Sequence, residues 1–264
     1  MPTLSYDDHC TEITRQTEQL ARLLLSGADL AARVPTCPAW SLEELVRHTG
    51  GAMRWAELLV RTRARADVDD SEVPGIDGPD GWGDPAALEA WLTNSAAAVV
   101  GALRKAGPDA AVWTWTDART ADFWARRMVH EVLVHRADAA LAVGAPFEVA
   151  AEVACDAIDE WLDLVGSVQR RRPRDLGGWD LADGRSLHLH ATDTAAELDA
   201  EWLIEAAEGG FAWRRGHEKA TAALRGPLTS VLLAFYRRLP PEAPGLEVLG
   251  ESAVLDSWLA TAAF

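Results

Sequence analysis

The chain has 264 residues, and 48% of them are hydrophobic, which is enough apolar material for a sizeable buried core. This composition excludes an intrinsically disordered chain. The formal net charge of −16 and the lack of a basic stripe would repel a phosphate backbone, so the sequence argues against nucleic acid as a partner.

The cysteines and the N-terminal residues bear on cellular location. Cys10, Cys37 and Cys155 are an odd number without CxxC spacing, so neither a disulfide framework nor a cysteine zinc site is indicated. The start of the chain lacks the basic residues and apolar run of a signal peptide, and no apolar stretch approaches the roughly 20 residues of a membrane span. We expect a soluble, cytoplasmic protein without a membrane partner, as a monomer or a small homo-oligomer.

The first two thirds of the chain are predicted to form long amphipathic helices. Ser41 followed by Glu44 is a capping box, and Asp84 with Pro85 is a cap followed by proline at the first helical position. Helix lengths and short connections are typical of an antiparallel bundle. The predicted helices run from about Ser5 to Ser26, Ser41 to Ala64, Asp84 to Gly107, Ala121 to Val143 and Glu148 to Val168.

A long connection separates the second and third predicted helices. Residues 67–83 are rich in Asp, Gly and Pro and lack hydrophobic periodicity. Loops of this length either carry function or are merely mobile, and the composition slightly favours mobility.

The character of the sequence changes from Arg170 onward, where RRRPRDLGGWD combines charge, proline and paired glycines. We therefore predict a helical domain over residues 1–172 and a smaller α/β domain over 173–264, which makes the fold class α+β. Strands are predicted at Ser186–Thr192, Phe211–Arg214 and Leu246–Leu249, and helices at Leu228–Leu239 and Ser252–Ala262.

The segment HEVLVH contains two histidines and a glutamate on one predicted helix. At about 100° per residue, Glu131 and His135 lie within about 40° of each other and can bind one ion together. His130 and His135 point about 140° apart, so they cannot share a metal within one regular helix. The segment is therefore not the HExxH motif of zinc proteases.

A third ligand must come from another helix, and His48 is the best candidate because it lies mid-helix in an otherwise apolar stretch. Two histidine nitrogens and one carboxylate form the open zinc site typical of catalysis, and they also suit other divalent ions. The alternative is that Glu131 and His135 are an ordinary exposed helix pair.

Other histidines allow two interpretations each. His188 and His190 share one strand face, which a metal could use, although a solvated sheet face explains them as well. His130 is either a group that supports the site or substrate, or a plain helix position.

Two segments resemble the mycothiol-dependent maleylpyruvate isomerase family, a branch of the DinB-like four-helix-bundle metalloproteins. They are VPTCPAWSLEELVRHTGG, Val34–Gly51, and RRMVHEVLVHRADA, Arg126–Ala139. The resemblance implies an up-down four-helix bundle followed by a small α/β domain. It also matches His48, Glu131 and His135 to the family's zinc ligands, the same triad that helical phasing selects.

The resemblance further implies an activity and a cosubstrate. Family enzymes use zinc to bind mycothiol, so we expect a mycothiol-using isomerase or S-transferase acting on a small electrophile. Arg127, Arg237 and Arg238 are candidate catalytic residues that would hold substrate carboxylates; AFYRRLP resembles an arginine-bearing helix end of the family. Two other functions stay open: a non-catalytic metal-binding or regulatory module, and a metal-dependent hydrolase.

Overall fold

The computed structural model describes residues 4–171, 184–207 and 210–261. The chain divides into two compact units, of which the first is Leu4–Phe147 and the second begins at Glu148. Each unit has its own helices and buried side chains, so each is described by itself.

The first unit is a four-helix bundle, and its helices begin where the sequence carries capping residues. Ser5 with Asp8, and Ser41 with Glu44, form capping boxes, while the Asp84 side chain accepts from the amides of the first turn of its helix. A two-stranded hairpin that the sequence did not predict joins the first two helices. The elements are α1 Tyr6–Leu25, β1 Arg33–Val34, β2 Cys37–Ser41, α2 Leu42–Thr62, α3 Pro85–Ala106 and α4 Ala121–Val143.

The bundle core lies where α1 packs against α3 and α4, and α2 packs against the same two helices. Its largest fully buried side chains include Trp124, Met53 and Leu59. Helix α3 is long and apolar enough to cross a membrane by length and composition. A helix in the core of a bundle has the same composition, and α3 buries Leu88, Leu92 and Val99 in this core.

The connection between α2 and α3 is held to the bundle by hydrogen bonds from side chains of both helices. The Arg47 guanidinium donates to the carbonyls of Asp77, Pro79 and Gly81. The indoles of Trp55 and Trp91 donate to the carbonyls of Val68 and Gly75, at 2.9 and 3.0 Å. Function and mobility were the two interpretations left open by the composition, and these bonds argue against a merely mobile loop.

The second unit is a helix, α5 Ala151–Arg171, followed by a five-stranded sheet with two further helices. The strand order is β5-β4-β3-β6-β7; β3 and β6 are parallel, and the other neighbouring pairs are antiparallel. The elements are β3 Ser186–Ala191, β4 Glu201–Ala207, β5 Gly210–Arg215, β6 Ala222–Gly226, α6 Leu228–Phe235, β7 Glu247–Gly250 and α7 Ser252–Thr261.

The two faces of this sheet differ in chemistry. Leu189 of β3 pairs with Trp202 of β4 on one face, and the Trp202 indole donates to Asp159 of α5 at 2.7 Å. Because side chains alternate along a strand, His188 and His190 point to the opposite face.

The division of the chain differs from the boundary predicted near residue 172. Residues 172–183, on which that boundary falls, lie outside the described residues, but the compact units separate earlier, between Phe147 and Glu148. Helix α5 packs against α6 and β5, so it belongs to the second unit. Its amphipathic pattern does not reveal which partner covers its apolar face, and this is why the sequence assigned it to the bundle.

The fold class predicted from sequence is confirmed, and so are three of the strands. Strands β4 and β6 were missed, because EWLIEAA and AALRG are rich in alanine, glutamate and leucine, which favour helices. Their neighbours in the sheet override this local preference.

A pair of glycine substitutions tests the packing of the bundle. A Cβ at Gly50 would collide with the ring of Trp91, whereas a Cβ at Gly101 meets nothing within 4 Å. Gly50→Ala should destabilise the protein by about 1–3 kcal/mol through overpacking. Gly101→Ala should stabilise it by up to about 1 kcal/mol through helix propensity. Urea unfolding of both variants measures the difference, and equal shifts for the two would contradict this packing.

Candidate metal centre

Helices α2 and α4 bring three of the side chains selected from the sequence together. Glu131 Oε1 lies 3.1 Å from His48 Nε2 and 3.2 Å from His135 Nε2. One ligand atom from each of the three residues falls within 4.8 Å of the others. Glu131 and His135 lie one turn apart on α4, as their spacing predicts, and His48 comes from α2.

Two further residues that the sequence did not identify hold His135 in place. Its Nδ1 lies 3.0 Å from Asp138 Oδ2, and the Thr36 hydroxyl donates to Asp138 Oδ1 at 2.6 Å. A carboxylate only accepts, so His135 Nδ1 carries a proton that it donates to Asp138. Loss of the Nε2 proton would leave a lone pair facing Glu131 and His48, which is the form in which an imidazole binds a metal. Asp138 is fully buried, so this arrangement is part of the core of the bundle.

The electrostatics of the triad keep Glu131 ionised. Burial raises the pKa of this carboxyl, but the charge of His135, hydrogen bonds from His135 and His48, and the charge of Arg127 outweigh burial and hold the pKa well below its ordinary value. Burial lowers the pKa of His135, whereas the charge of Glu131 and the hydrogen bond to Asp138 raise it to about 9. Glu131 is therefore an anion at neutral pH, the form in which a carboxylate binds metals.

Other residues surround the triad of His48, Glu131 and His135. Arg127, one of the candidate catalytic arginines, has its Nη2 3.4 Å from Glu131 Oε2, and its side chain is buried. The Trp40 ring centroid lies 4.7 Å from that of His48 and covers the triad from the β2 side. His130 is also buried but is not part of the triad.

A pocket within the first unit opens beside the triad. Its volume is about 630 Å³, a size typical of small-molecule sites, and His48 and Glu131 line it. The loop between α2 and α3 contributes Asp70, Ile76, Asp77 and Trp82 to the wall. The bonds that Arg47, Trp55 and Trp91 make to this loop therefore shape a ligand cavity.

Three tryptophans line the cavity. Trp82 and Trp115 belong to its wall, and Trp55 joins them. Trp124 is fully buried and packs edge to face against Trp55 and Trp115, at 5.2 and 4.9 Å between centroids. Packing against Trp124 thus holds the Trp55 and Trp115 rings at the cavity wall.

The remaining two candidate arginines lie in the second unit, just after α6. Arg237 is exposed and adopts a left-handed conformation with φ 63°. Arg238 is half-buried, and its Nη1 donates to the Tyr236 carbonyl at 2.8 Å. A catalytic role for either residue stays a prediction.

The donor chemistry of the triad fits a divalent metal. The site has two imidazole nitrogens and one carboxylate oxygen, the donors of catalytic zinc sites. Histidine ligands of metals characteristically donate their second ring N–H to a carboxylate or carbonyl, and Asp138 serves His135 in this way. Asp138 lies three residues after His135, so this partner was visible in the sequence as a carboxylate on the same helix face.

Fold and site together define a class: a helical bundle with a two-histidine, one-carboxylate centre of the metal-binding type, joined to an α/β unit. Comparisons with known proteins narrow this class to a family. The model of the mycothiol maleylpyruvate isomerase N-terminal domain matches residues 10–140, and that of the MDMPI C-terminal domain matches residues 152–257. The chain belongs to this family.

Solved structures agree at the level of the fold. The crystal structure of a mycothiol-dependent maleylpyruvate isomerase has a TM-score of 0.57 and 16% identity, over 95% of this chain and 97% of that one. The structure of a histidine-to-alanine mutant of a mycothiol-dependent maleylpyruvate isomerase has a TM-score of 0.58 with the same identity and coverage. None of the curated protein sequences matches the chain.

Single substitutions should separate the triad from its histidine neighbour. The His48 side chain is 41% exposed, so His48→Ala should leave the helix content unchanged while weakening zinc binding at the triad about 100-fold or more. His135→Ala should weaken binding similarly, and His130→Ala should retain it. Circular dichroism and zinc titration check these outcomes. Loss of zinc in the His130 variant with retention in the His135 variant would show that the helical phasing is wrong.

The support given to His135 can be tested at Thr36. Thr36→Val keeps the shape of the side chain and removes the hydroxyl that donates to Asp138. We expect the zinc affinity to fall about 10-fold, because an oriented partner of a ligand contributes at least this much. Thr62→Val is the matched control, since the Thr62 hydroxyl bonds a carbonyl of its own exposed helix. Equal affinities in the two variants would contradict the role of Thr36.

Proposed function

We propose that this protein is a metal-dependent, mycothiol-using isomerase or S-transferase, with His48, Glu131 and His135 as metal ligands. The observation that carries the proposal is the convergence of these three side chains, from two helices, at the edge of a small-molecule cavity. Family membership and the buried Asp138 behind His135 support it. Zinc is the preferred ion for this donor set.

The bound metal would supply the positive charge that keeps a thiol, whose pKa is ordinarily about 8.5, as a thiolate at neutral pH. The residues of the chain prepare the site for this task. Asp138 orients the His135 ring, Glu131 supplies a negative charge, and Trp40 covers the β2 side of the triad. Trp55, Trp82 and Trp115 supply apolar surface to the cavity wall.

The reaction of the thiol depends on the second substrate. With maleylpyruvate, the thiolate sulfur adds to the activated double bond, the resulting single bond rotates, and the same sulfur leaves to give the trans isomer. The thiol is regenerated, so no net proton or electron is consumed. With an electrophile that keeps the sulfur, the same first step is a transfer. Either outcome requires a cavity large enough for both reactants, and about 630 Å³ is compatible with this.

The charges of the cavity wall bear on the choice of substrate. Arg47 is paired with Glu43 at 2.9 Å and bonded to three loop carbonyls, and Arg127 faces Glu131. Glu44, Asp70 and Asp77 add negative charge to the same wall. Arg237 and Arg238, the two further arginines predicted from the sequence, are proposed to bind substrate carboxylates.

Thiol dependence decides between this proposal and its rivals. Zinc-loaded protein should bind mycothiol and should isomerise maleylpyruvate, or conjugate a small electrophile, only when mycothiol is present. His48→Ala should lower kcat/KM by about 100-fold or more, because the metal contributes several kcal/mol of charge stabilisation. His130→Ala, matched in residue type and outside the triad, should retain activity.

Isothermal titration of mycothiol and product analysis check these outcomes. Zinc binding without any affinity for mycothiol would favour a binding or regulatory module. Hydrolysis that proceeds unchanged without thiol would favour a hydrolase in which the open position activates water.

A further inference from the structure

A second cluster of histidines lies in the second unit, far along the chain from the triad. His188, His190 and His217 surround one carboxylate oxygen of Glu201, at 3.0, 3.1 and 2.7 Å. All four ligand atoms fall within 4.8 Å of one another. His188 and His190 are the pair for which the sequence left a metal site and a solvated sheet face as alternatives.

The sheet itself produces this convergence. His188 and His190 are two apart on β3 and so share a face, and Glu201 of β4 is the register partner of His190. His217 follows β5 directly after Gly216, whose amide donates to the Glu201 carbonyl at 3.1 Å. Three consecutive segments of the sheet thus contribute ligands to one point.

The three imidazole rings are arranged almost symmetrically. Their centroids are separated by 5.6, 5.7 and 5.5 Å, and each pair of rings is close to perpendicular. The three nitrogens lie 2.7–3.1 Å from Glu201 Oε2. In a tetrahedral zinc site with ligands about 2.0 Å from the ion, two ligand atoms are about 3.3 Å apart, so the observed distances are close to those of such a site.

Hydrogen bonding alone does not account for the cluster. One carboxylate oxygen offers about two lone pairs, so it cannot accept well from three imidazoles. The nitrogen left over is His188 Nε2, which is buried and makes no hydrogen bond of acceptable geometry although it lies near Glu201. The His188 residue is 5% exposed, so a solvated sheet face is not its environment. An unsatisfied buried nitrogen is costly, and a cation at the centre would satisfy it.

We propose that His188, His190, Glu201 and His217 form a second metal site, which binds a divalent ion of the zinc class with three nitrogens and one oxygen. Four protein ligands close the coordination sphere, which is typical of a structural site. The ion would join β3, β4 and the segment after β5, and its task is to hold these segments together rather than to take part in the reaction.

The test isolates this site by removing the first one. Tag-free His48→Ala/His135→Ala protein, stripped with chelator and reloaded with zinc chloride, should retain about one zinc per chain by elemental analysis. Adding His190→Ala and His217→Ala, both partly exposed positions, should abolish this binding. Glu201→Gln should weaken it about 10-fold or more, and bound cobalt should show the visible absorption of tetrahedral coordination.

The matched control is Glu205→Gln, on the same strand and the same face as Glu201 but 49% exposed, and it should retain the zinc. In the unmodified chain, His190→Ala/His217→Ala should lower the zinc content from two to one per chain, which decides the matter if the combined variants do not fold. A first-site variant that folds yet binds no zinc, or zinc binding that survives His190→Ala/His217→Ala, would overturn the proposal. Neither result depends on mycothiol or on activity. Failure of the proposed function would therefore not be mistaken for failure of the second metal site.

Discussion

The carboxylate of Glu131 is the contact on which the candidate catalytic centre depends. It lies between His48 of α2, His135 of its own helix and Arg127 one turn earlier, and its pKa is held well below the ordinary value. A carboxylate so placed must be paired, because an isolated buried charge is very costly. The hydrogen bond between His48 and Glu131 joins α2 to α4, so the geometry of the site depends on the packing of these two helices.

The rest of the first unit serves to keep one side of this centre open and shaped. Gly50 lets the Trp91 ring approach α2, and Trp91 in turn holds the carbonyl of Gly75 in the loop. Arg47 holds the end of that loop, and the Trp82 ring lies 4.2 Å from its guanidinium carbon. A glycine-rich acidic loop, which composition alone would describe as mobile, thus becomes the wall of a cavity. Donors on the helices add to the hydrogen bonds within the loop, such as that from the Ser71 amide to Asp69.

Helical periodicity was sufficient to predict the bundle helices and to pair Glu131 with His135 instead of His130 with His135. The choice of His48 also needed only a mid-helix histidine in an apolar stretch. Thr36, by contrast, acts from the turn between β1 and β2, 102 residues before its partner Asp138, and no local pattern connects the two. The sequence alone could not predict such contacts between residues that only the tertiary structure brings together.

The second unit shows the same limit more strongly. Alternation in SLHLHAT predicted β3 and placed His188 and His190 on one face, but Glu201 lies on a strand whose sequence favours helix. His217 lies beyond the end of β5, so only the strand order brings it to the cluster. The assignment of α5 depended likewise on which neighbour covers its apolar face. The local sequence pattern predicts helices and strands and the face on which a residue lies. The residue that it contacts on another element can be identified only from the tertiary structure.

Anomalous scattering from a crystal of the zinc-loaded protein tests the central claim most directly. The account predicts a zinc peak within about 2.0–2.2 Å of His48 Nε2, His135 Nε2 and a carboxylate oxygen of Glu131. It also predicts that Asp138 still accepts from His135 Nδ1. A zinc ion bound through His130, or a triad that remains closed on itself at saturating zinc, would contradict it.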